Sequence, residues 1–487
     1  MITAQTVLNS LVFWSAWIII PVIMEIIPAL GCAFLLIRRR FRARNADAEL
    51  TFWPEITLII PVYNSAKTLA NCIRSVDECA YPSEQVRIFL VDNGSKDDSF
   101  SVFGRAQEAH PDLRMQWLNA QSGKSKALNL ALYNSEGKYI INIDSDGVLA
   151  PNALTNLVRK FEAHTDINVM TGAVLIEPRL IEEYRNPFAR LLRKLEFMEY
   201  AQAFLAGRSY SSETDTIYTL SGAFSAFRKS AVLNSRLYNT NTLAEDTQLT
   251  FQMRYLYGEK VEMCEDAIFY VDPIDDVNKL YTQRQRWQRG SLEVAKLFHD
   301  EHYGKMRPWR FVTDANMYAL LFDHTFAFPR MIWYVALLCL MALNFSPYVI
   351  ALSILFIFAL YILVGYVYFA CVLVFLKREP GLRSYYARQW WVVALLPFFN
   401  LGVFFIRFAG VINSIGTDSV WRTKTLSDEG DDFRAALRDT LAVPARALRR
   451  ARAWMNPNWD TDQVCVPAER RNRDQVCVPA EGGIDDR

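Results

Sequence analysis

Apolar positions follow two different patterns along this chain of 487 residues. Between residues 55 and 175, short β-branched runs alternate with segments whose apolar side chains recur at helical spacing, as in Leu69, Cys72, Ile73 and Val76. Such alternation predicts a parallel sheet with crossover helices. Elsewhere the apolar runs are long and carry almost no charge, which predicts a second, membrane-embedded part.

Three apolar runs are long enough to enter a membrane. The first covers residues 11–37, and the second covers 327–376 with a break near "NFSPY" that leaves room for two spans. The third covers 389–412 and is interrupted by Pro397 and Asn400. The first run is too long for a cleaved signal peptide and lacks a small-residue cleavage site, so we expect a retained anchor.

The net charge is only +1, and the placement of the charges tells more than their sum. The basic segment "RRRFRAR" (38–44) follows the first apolar run, and such flanks normally stay in the cytoplasm. We therefore expect a multi-pass protein of the cell membrane with residues 45–310 in the cytoplasm. The loop 377–388 and the tail after 407 are also basic, so we expect 389–412 to be a re-entrant or interfacial hairpin broken at "LLPFFN".

These patterns divide the chain into four predicted parts. They are an anchor with its basic flank (1–44), a cytoplasmic α/β domain (45–300), interfacial helices and transmembrane segments (301–424), and a polar tail (425–487). In the tail, Phe433, Leu437 and Leu441 share a helical face, which predicts an amphipathic helix at the membrane surface. Beyond it, "DQVCVPAE" occurs at 462–469 and again at 474–481, and we expect disorder there.

Polar residues follow each strand of the predicted sheet. They are Tyr63 and Asn64, Asp92 and Asn93, and Asp144 to Asp146. Because ligands of open α/β sheets bind outside the carboxyl ends of the strands, we expect these residues to converge on one crevice.

Several of these side chains have both a catalytic and a structural interpretation. Asp144 and Asp146 in "NIDSDG" suit Mg²⁺ or Mn²⁺ bound together with a diphosphate, or they form an acidic turn closed by Gly147. Lys124 at a predicted helix start either pairs with phosphate oxygens or is a solvated lysine. Asp92 can accept hydrogen bonds from a ribose or base, and the structural interpretation of its segment is helix capping by Ser95, Asp97 and Asp98, which can coexist with that role.

Two further motifs also have both a structural and a catalytic interpretation when each is taken alone. Glu245 and Asp246 begin a helical pattern, where acids complement the helix dipole, but an acid there could also take a proton from a hydroxyl. In "TQRQRWQRG" (282–290), the arginines and Trp287 are typical of an anchor at the lipid headgroups, or they contact a sugar or phosphate.

The order of the motifs is more specific than any one of them. "IIPVYN", "VDNGSKD", "GKSKALN", "DSD", "SGAFSAFR", "AED" and "QRQRW" together resemble the membrane-integrated glycosyltransferases of family 2, which include the cellulose, hyaluronan and poly-N-acetylglucosamine synthases. The resemblance covers residues 55–290 and the flanking apolar segments. It implies a GT-A-type, Rossmann-like cytoplasmic glycosyltransferase domain with transmembrane helices on both sides.

The resemblance also implies a role for individual residues. Tyr63 and Asp92 match the residues that hold the uridine, Lys124 the lysine on the diphosphate, and Asp144 and Asp146 the metal and nucleotide acids. The positions that bind the acceptor match the segment that begins at Ser221 and Gly222, together with Glu245 and Trp287. Asp246 matches the catalytic base, and Gln283, Arg286 and Trp287 match the QxxRW motif, with Arg286 meeting the diphosphate. Two positions depart from the family pattern: Asn93, where a second aspartate is common, and Ala244, where threonine is frequent.

The function that this implies is inverting transfer from a UDP-sugar with Mg²⁺ or Mn²⁺, processive and coupled to polysaccharide export. The expected partners are the UDP-sugar, a growing polysaccharide or glycolipid, membrane lipid and accessory export proteins, with no nucleic acid. A single-addition transferase acting on a ceramide or polyprenyl phosphate is the alternative. A non-catalytic scaffold or transporter component is a third, suggested by Glu25 inside the first apolar run.

Overall fold

The structure, a computed structural model, describes residues 26–42, 50–274, 276–299, 335–337, 339–343, 347–416, 425–431 and 434. Glu25, most of the first apolar run, Phe433, Leu437, Leu441 and both "DQVCVPAE" copies lie outside these residues. The chain divides into two compact units, Met1–Leu426 and Ser427–Arg487. In the second unit the described residues 427–431 are helical.

One eight-stranded sheet organises the first unit. The strands are β1 (Ile56–Val62), β2 (Val86–Asp92), β3 (Arg114–Asn119), β4 (Tyr139–Ile143), β5 (Gly147–Leu149), β6 (Val169–Ile176), β7 (Phe224–Arg228) and β8 (Val261–Val271). Their order across the sheet is β3-β2-β1-β4-β7-β6-β8-β5.

The first four strands form the predicted parallel sheet, because β1 pairs in parallel with β2 and β4, and β2 pairs in parallel with β3. Every residue of β1 is buried, as expected for a strand covered by helices on both faces. The second half of the sheet is mixed, since β7 runs antiparallel to both β4 and β6. The predicted GT-A-type architecture is confirmed: a parallel half is joined to a mixed half.

Helices cover the sheet and extend beyond it. They are α1 (Ile27–Arg42), α2 (Leu69–Asp77), α3 (Ser99–Ala109), α4 (Lys124–Asn134), α5 (Ala153–Ala163), α6 (Pro178–Glu182), α7 (Pro187–Tyr200), α8 (Arg208–Glu213), α9 (Lys229–Leu233), α10 (Glu245–Phe251), α11 (Val277–Phe298), α12 (Pro347–Phe375), α13 (Pro380–Arg388) and α14 (Leu396–Gly416). The helical spacing read from the sequence is confirmed in α2, where Leu69, Cys72, Ile73 and Val76 are buried. Two π-helical segments occur, Ala201–Gly207 before α8 and Gln252–Leu256 after α10.

Two helical stretches among the described residues, Ile350–Arg378 and Trp390–Asn413, have the length and apolar composition needed to cross a membrane. The expected hairpin at "LLPFFN" is wrong, because α14 continues from Leu396 to Gly416 without reversing. Pro397 is the second residue of α14, where its missing N–H breaks no intrahelical hydrogen bond. The chain is helical on both sides of this proline, in the 3₁₀ segment Trp390–Leu395 and in α14, so it does not turn back here.

Candidate active site

The loops after β1 and β2 are joined by side-chain to backbone hydrogen bonds. Asn64 adopts a positive φ of 51°, its Oδ1 accepts from the Lys96 N–H at 2.8 Å, and its own N–H donates to Ser95 Oγ at 3.0 Å. The loop after β4 joins them through a 2.7 Å hydrogen bond between the hydroxyls of Ser65 and Ser145. The predicted convergence of the three strand ends is therefore present in the structure.

Asp92 and Asn93 shape the turn after β2. The two carboxylate oxygens of Asp92 accept from the N–H groups of Gly94 and Ser95 at 3.2 and 3.1 Å. Asn93 is buried, and its Oδ1 accepts from the Gly123 N–H at 3.2 Å, directly before α4. Asn93 thus ties β2 to the start of α4, which is a structural role for the position that departs from the family pattern.

Tyr63 is open to solvent at the end of β1, where 56% of its surface is exposed. An exposed aromatic ring beside a crevice presents a free face on which a base can stack.

Lys124 lies at the centre of an acidic cluster and is not a solvated lysine. Its Nζ is 2.5 Å from Asp144 Oδ1 and 3.8 Å from Glu245 Oε1, and it donates to the Gly222 carbonyl at 3.2 Å. Burial alone would lower the pKa of Lys124, but Asp144, Glu245 and Asp246 outweigh that effect and raise it. Lys124 therefore stays protonated and joins residues of four segments.

Asp144 and Asp146 are the carboxylates predicted to hold a metal. Asp146 opens onto the crevice, and desolvation by the surrounding protein together with the charge of Asp144 raises its pKa to about 6. Two carboxylates that repel each other in this way suit a divalent cation, which would relieve the repulsion. Within the described residues, no group of three or more histidine, cysteine, aspartate or glutamate side chains could hold a metal ion. A cation here would need further oxygen ligands, as the oxygens of a diphosphate would be.

Asp246 is oriented by backbone donors on two sides. Its Oδ2 accepts from the Gly222 N–H at 3.0 Å, and its Oδ1 accepts from the Thr247 N–H at 2.7 Å. Position 222 has no room for a side chain, because a Cβ there would lie 3.0 Å from Asp246 Oδ2. Ser221 donates its N–H to Thr171 Oγ1 at 3.1 Å, which fixes the segment before Gly222.

Glu245 is buried on the other side of the same helix start. Burial raises its pKa, against the opposing charge of Lys124. The two adjacent acids of the "AED" motif thus face different partners: Glu245 lies near Lys124, whereas Asp246 is held by Gly222 and Thr247.

The long helix α11 carries the "TQRQRWQRG" stretch. Trp287 packs edge-on against Phe204 with ring centroids 5.8 Å apart, and Gln283 hydrogen-bonds Tyr200. Arg286 is exposed. Gln283, Arg286 and Trp287 therefore differ in exposure although they belong to a single predicted motif.

The interpretation of Arg284 and Arg289 as lipid-headgroup anchors is wrong. Arg284 is 1% exposed, and its Nη2 lies 2.6 Å from Glu199 Oε2 of α7. Arg289 is buried as well. Sequence reasoning missed the Arg284–Glu199 pair because the two residues are 85 positions apart.

Helix α11 also contacts the start of α10 and the apolar helix α14. A Cβ at Gly290 would lie 2.7 Å from the Cβ of Ala244, directly before Glu245, and Glu293 Oε2 accepts from the Leu243 N–H at 3.2 Å. On another side, Arg407 of α14 donates through Nε to Gln288 Oε1 at 2.8 Å. One helix thus connects a candidate membrane helix with the segment that carries Asp246.

Comparison with solved structures identifies the fold. The mannosyltransferase PcManGT from Pyrobaculum calidifontis, solved in complex with GDP-Man and Mn²⁺, superposes with a TM-score of 0.52 at 19% identity. The alignment covers 80% of this chain and 96% of that one, so the two share the GT-A glycosyltransferase fold.

Sequence comparisons point to one family. Residues 57–234 match the glycosyl transferase family 2 profile. The poly-β-1,6-N-acetyl-D-glucosamine synthase of Staphylococcus aureus (strain COL) is 24% identical over 314 residues, 64% of this chain and 71% of that protein. The synthase of the same name from Staphylococcus epidermidis is 25% identical over 239 residues, 49% of this chain and 55% of that protein.

Proposed function

We propose that this protein is a membrane-bound, inverting glycosyltransferase that moves a sugar from a UDP-sugar to an acceptor hydroxyl, and that it does so processively with export of the product. The observation that carries the proposal is the position of Asp246, oriented by Gly222, whose carbonyl accepts from Lys124. A candidate base and a candidate diphosphate-binding lysine are thus joined by one residue.

The reaction would be a direct displacement. The acceptor oxygen forms a bond to the anomeric carbon while the bond from that carbon to the diphosphate breaks, and Asp246 takes the hydroxyl proton. Lys124 and Arg286 would bind the diphosphate and stabilise its developing charge. Tyr63, Asp92 and Asp144 would hold the nucleotide part, with Gln283 near it, whereas Ser221, Gly222, Glu245 and Trp287 would line the acceptor side.

Asp144 and Asp146 would hold a divalent cation, Mg²⁺ or Mn²⁺. Such a cation supplies positive charge to the oxygens of the leaving diphosphate. The raised pKa of Asp146 supports this assignment, since a bound cation would favour its ionised form.

A UDP-sugar is proposed as the donor because Tyr63 and Asp92 match the residues that hold the uridine in the family that this chain resembles. Lys124 matches the lysine that binds the diphosphate there. The relatives named poly-β-1,6-N-acetyl-D-glucosamine synthase make UDP-N-acetylglucosamine the first donor to test. GDP-mannose is the matched control donor, because the solved neighbour was crystallised with it.

The test is nucleotide release by the full-length protein in lipid nanodiscs with UDP-N-acetylglucosamine, UDP-glucose, UDP-glucuronate or GDP-mannose. We expect UDP release from a UDP-sugar and a loss of at least about 100-fold in Asp246→Asn, which keeps its affinity for UDP. Asp112→Asn, at an exposed aspartate between α3 and β3, is the matched control and should keep full activity. Release from GDP-mannose alone would overturn the UDP assignment, and no release from any donor would favour a scaffold or transporter.

The product decides between processive synthesis and single addition. A ladder of polymer lengths from labelled donor supports the synthase. A single glycolipid product supports transfer to a lipid such as a ceramide or polyprenyl phosphate and would overturn processivity. Polymer that is protected from added glycosidase inside sealed proteoliposomes would support export.

A further inference from the structure

Arg208 is a buried arginine with an unmet hydrogen-bond donor. It is the first residue of α8, directly after the π-helical segment Ala201–Gly207, and only 9% of it is exposed. Its terminal nitrogen Nη1 is buried and has no hydrogen-bond partner among the residues that the structure describes. A buried donor of a charged group that makes no hydrogen bond is unfavourable in a folded protein, so this position calls for a ligand.

Other buried arginines of the described segments do not share this property. The buried arginines Arg193 and Arg284 donate through a terminal nitrogen to the Ala189 carbonyl and to Glu199, and Arg254, whose side chain is 8% exposed, donates to Asp215. In Arg208 the unmet donor is a terminal nitrogen, which is the part of a guanidinium that reaches a ligand most easily.

The surroundings of Arg208 place it beside the acceptor side of the site. Its guanidinium carbon lies 5.0 Å from the centroid of the Phe204 ring, and Phe204 packs against Trp287. Burial lowers the pKa of Arg208, whereas the charges of Tyr218 and Asp246 act in the opposite direction. Arg208 therefore contacts Phe204, which packs on Trp287, and it is close enough to Asp246 for the two charges to interact.

We propose that Arg208 is an acceptor-binding residue, whose Nη1 donates a hydrogen bond to a neutral oxygen of the acceptor sugar next to the hydroxyl that reacts. The inference rests on the proposed function and deepens it. A phosphate or carboxylate in the same place would be repelled by Asp246 and Glu245, whereas a sugar hydroxyl accepts from Arg208 without that repulsion. The rings of Phe204 and Trp287 offer apolar faces to the C–H groups of a sugar ring.

The experiment separates acceptor binding from donor chemistry. The full-length protein in nanodiscs is assayed with UDP-N-acetylglucosamine as donor and β-linked N-acetylglucosamine oligosaccharides as acceptor. For Arg208→Gln we expect the KM for the oligosaccharide to rise roughly tenfold or more, the usual effect of losing a hydrogen bond from a charged group. The KM for the donor and the rate of donor hydrolysis without acceptor should change less than about twofold, because neither needs that bond.

Two further variants control for a structural effect. Arg208→Lys keeps the charge and should recover part of the acceptor affinity, and it also serves if the glutamine variant does not fold. Arg254→Gln removes a buried arginine whose terminal nitrogens are bonded to Asp215, and it should leave the acceptor KM unchanged. An unchanged acceptor KM in Arg208→Gln, or an equal loss of donor hydrolysis, would overturn the proposal. Wild-type protein that turns over no donor would instead overturn the proposed function itself.

Discussion

Arg284 of α11 and Glu199 of α7 form a buried ion pair, with Arg284 Nη2 2.6 Å from Glu199 Oε2 and both side chains almost wholly inaccessible. The guanidinium carbon of Arg284 also lies 4.4 Å from the centroid of the Trp287 ring. The pair therefore fixes α11 against α7 and holds the ring of Trp287 in place.

Removal of one partner of this pair should destabilise the protein strongly. Arg284→Met removes this cationic partner from the buried Glu199 carboxylate, and breaking a buried ion pair costs about 3–5 kcal/mol in comparable cases. The measurement is the free energy of unfolding from denaturant titration in detergent. The double variant Arg284→Met with Glu199→Leu should recover much of the loss, because it removes both charges of the pair; an equal loss in the single and double variants would contradict the explanation.

Glu196 should make stability depend on pH. Burial raises the pKa of Glu196 to about 7, although Arg284 and Arg193 lower it. Between the ordinary pKa of 4.5 and about 7, the folded protein keeps this proton and the unfolded chain loses it. Rising pH therefore favours the unfolded chain, and this group lowers stability by up to about 1.4 kcal/mol per pH unit in that window.

Glu196→Gln removes this contribution while keeping an oxygen that accepts from the Ile274 N–H, as Glu196 Oε2 does. Thermal unfolding of the wild type and of Glu196→Gln at pH 5 and pH 7.5 is the measurement. We expect the variant to gain stability relative to the wild type as the pH rises. Glu84→Gln, at an exposed glutamate, is the control, and parallel pH profiles for the wild type and Glu196→Gln would refute the assignment.

Gly222→Ala should reduce transfer by moving the carboxylate of Asp246. The added Cβ would lie 3.0 Å from Asp246 Oδ2, which is tight enough to displace that carboxylate, whereas its 3.6 Å separation from Lys124 Nζ is an ordinary contact. We expect a fall in kcat of roughly tenfold or more, the equivalent of a modest steric penalty. Gly104→Ala is the matched control, because a Cβ at that position meets no atom within 4 Å. Full activity in Gly222→Ala would show that the contact with Asp246 does not set its position.

Gly290→Ala tests whether α11 positions the helix that begins at Glu245. Its Cβ would lie 2.7 Å from the Cβ of Ala244, a separation that forces the two segments apart. We expect a lower kcat with little change in donor KM. The exchange variant Gly290→Ala with Ala244→Gly restores the space and should recover activity. Failure of that exchange to rescue kcat would indicate that the effect arises within α11 alone.

The sequence by itself determined the parallel half of the sheet and the convergence of its strand ends. Runs such as Ile56–Val62 are apolar throughout, so they are stable only between two layers of helices, and the polar residue after each run must then lie at the same edge. The ordered motifs likewise carry the resemblance to family 2 glycosyltransferases, because each motif is a local property of the chain.

Tertiary structure alone decided the partners of the charged residues. Nothing near Arg284 in the sequence distinguishes a lipid anchor from a buried ion pair, since Glu199 is 85 positions away. The roles of Asn93 and Arg208 are equally non-local. Asn93 accepts from the Gly123 N–H directly before α4, and Arg208 contacts Phe204 and interacts with the charge of Asp246. Hydrophobic periodicity reports which face of an element is buried, whereas the pairing of a buried charge depends on which other elements the fold brings to it.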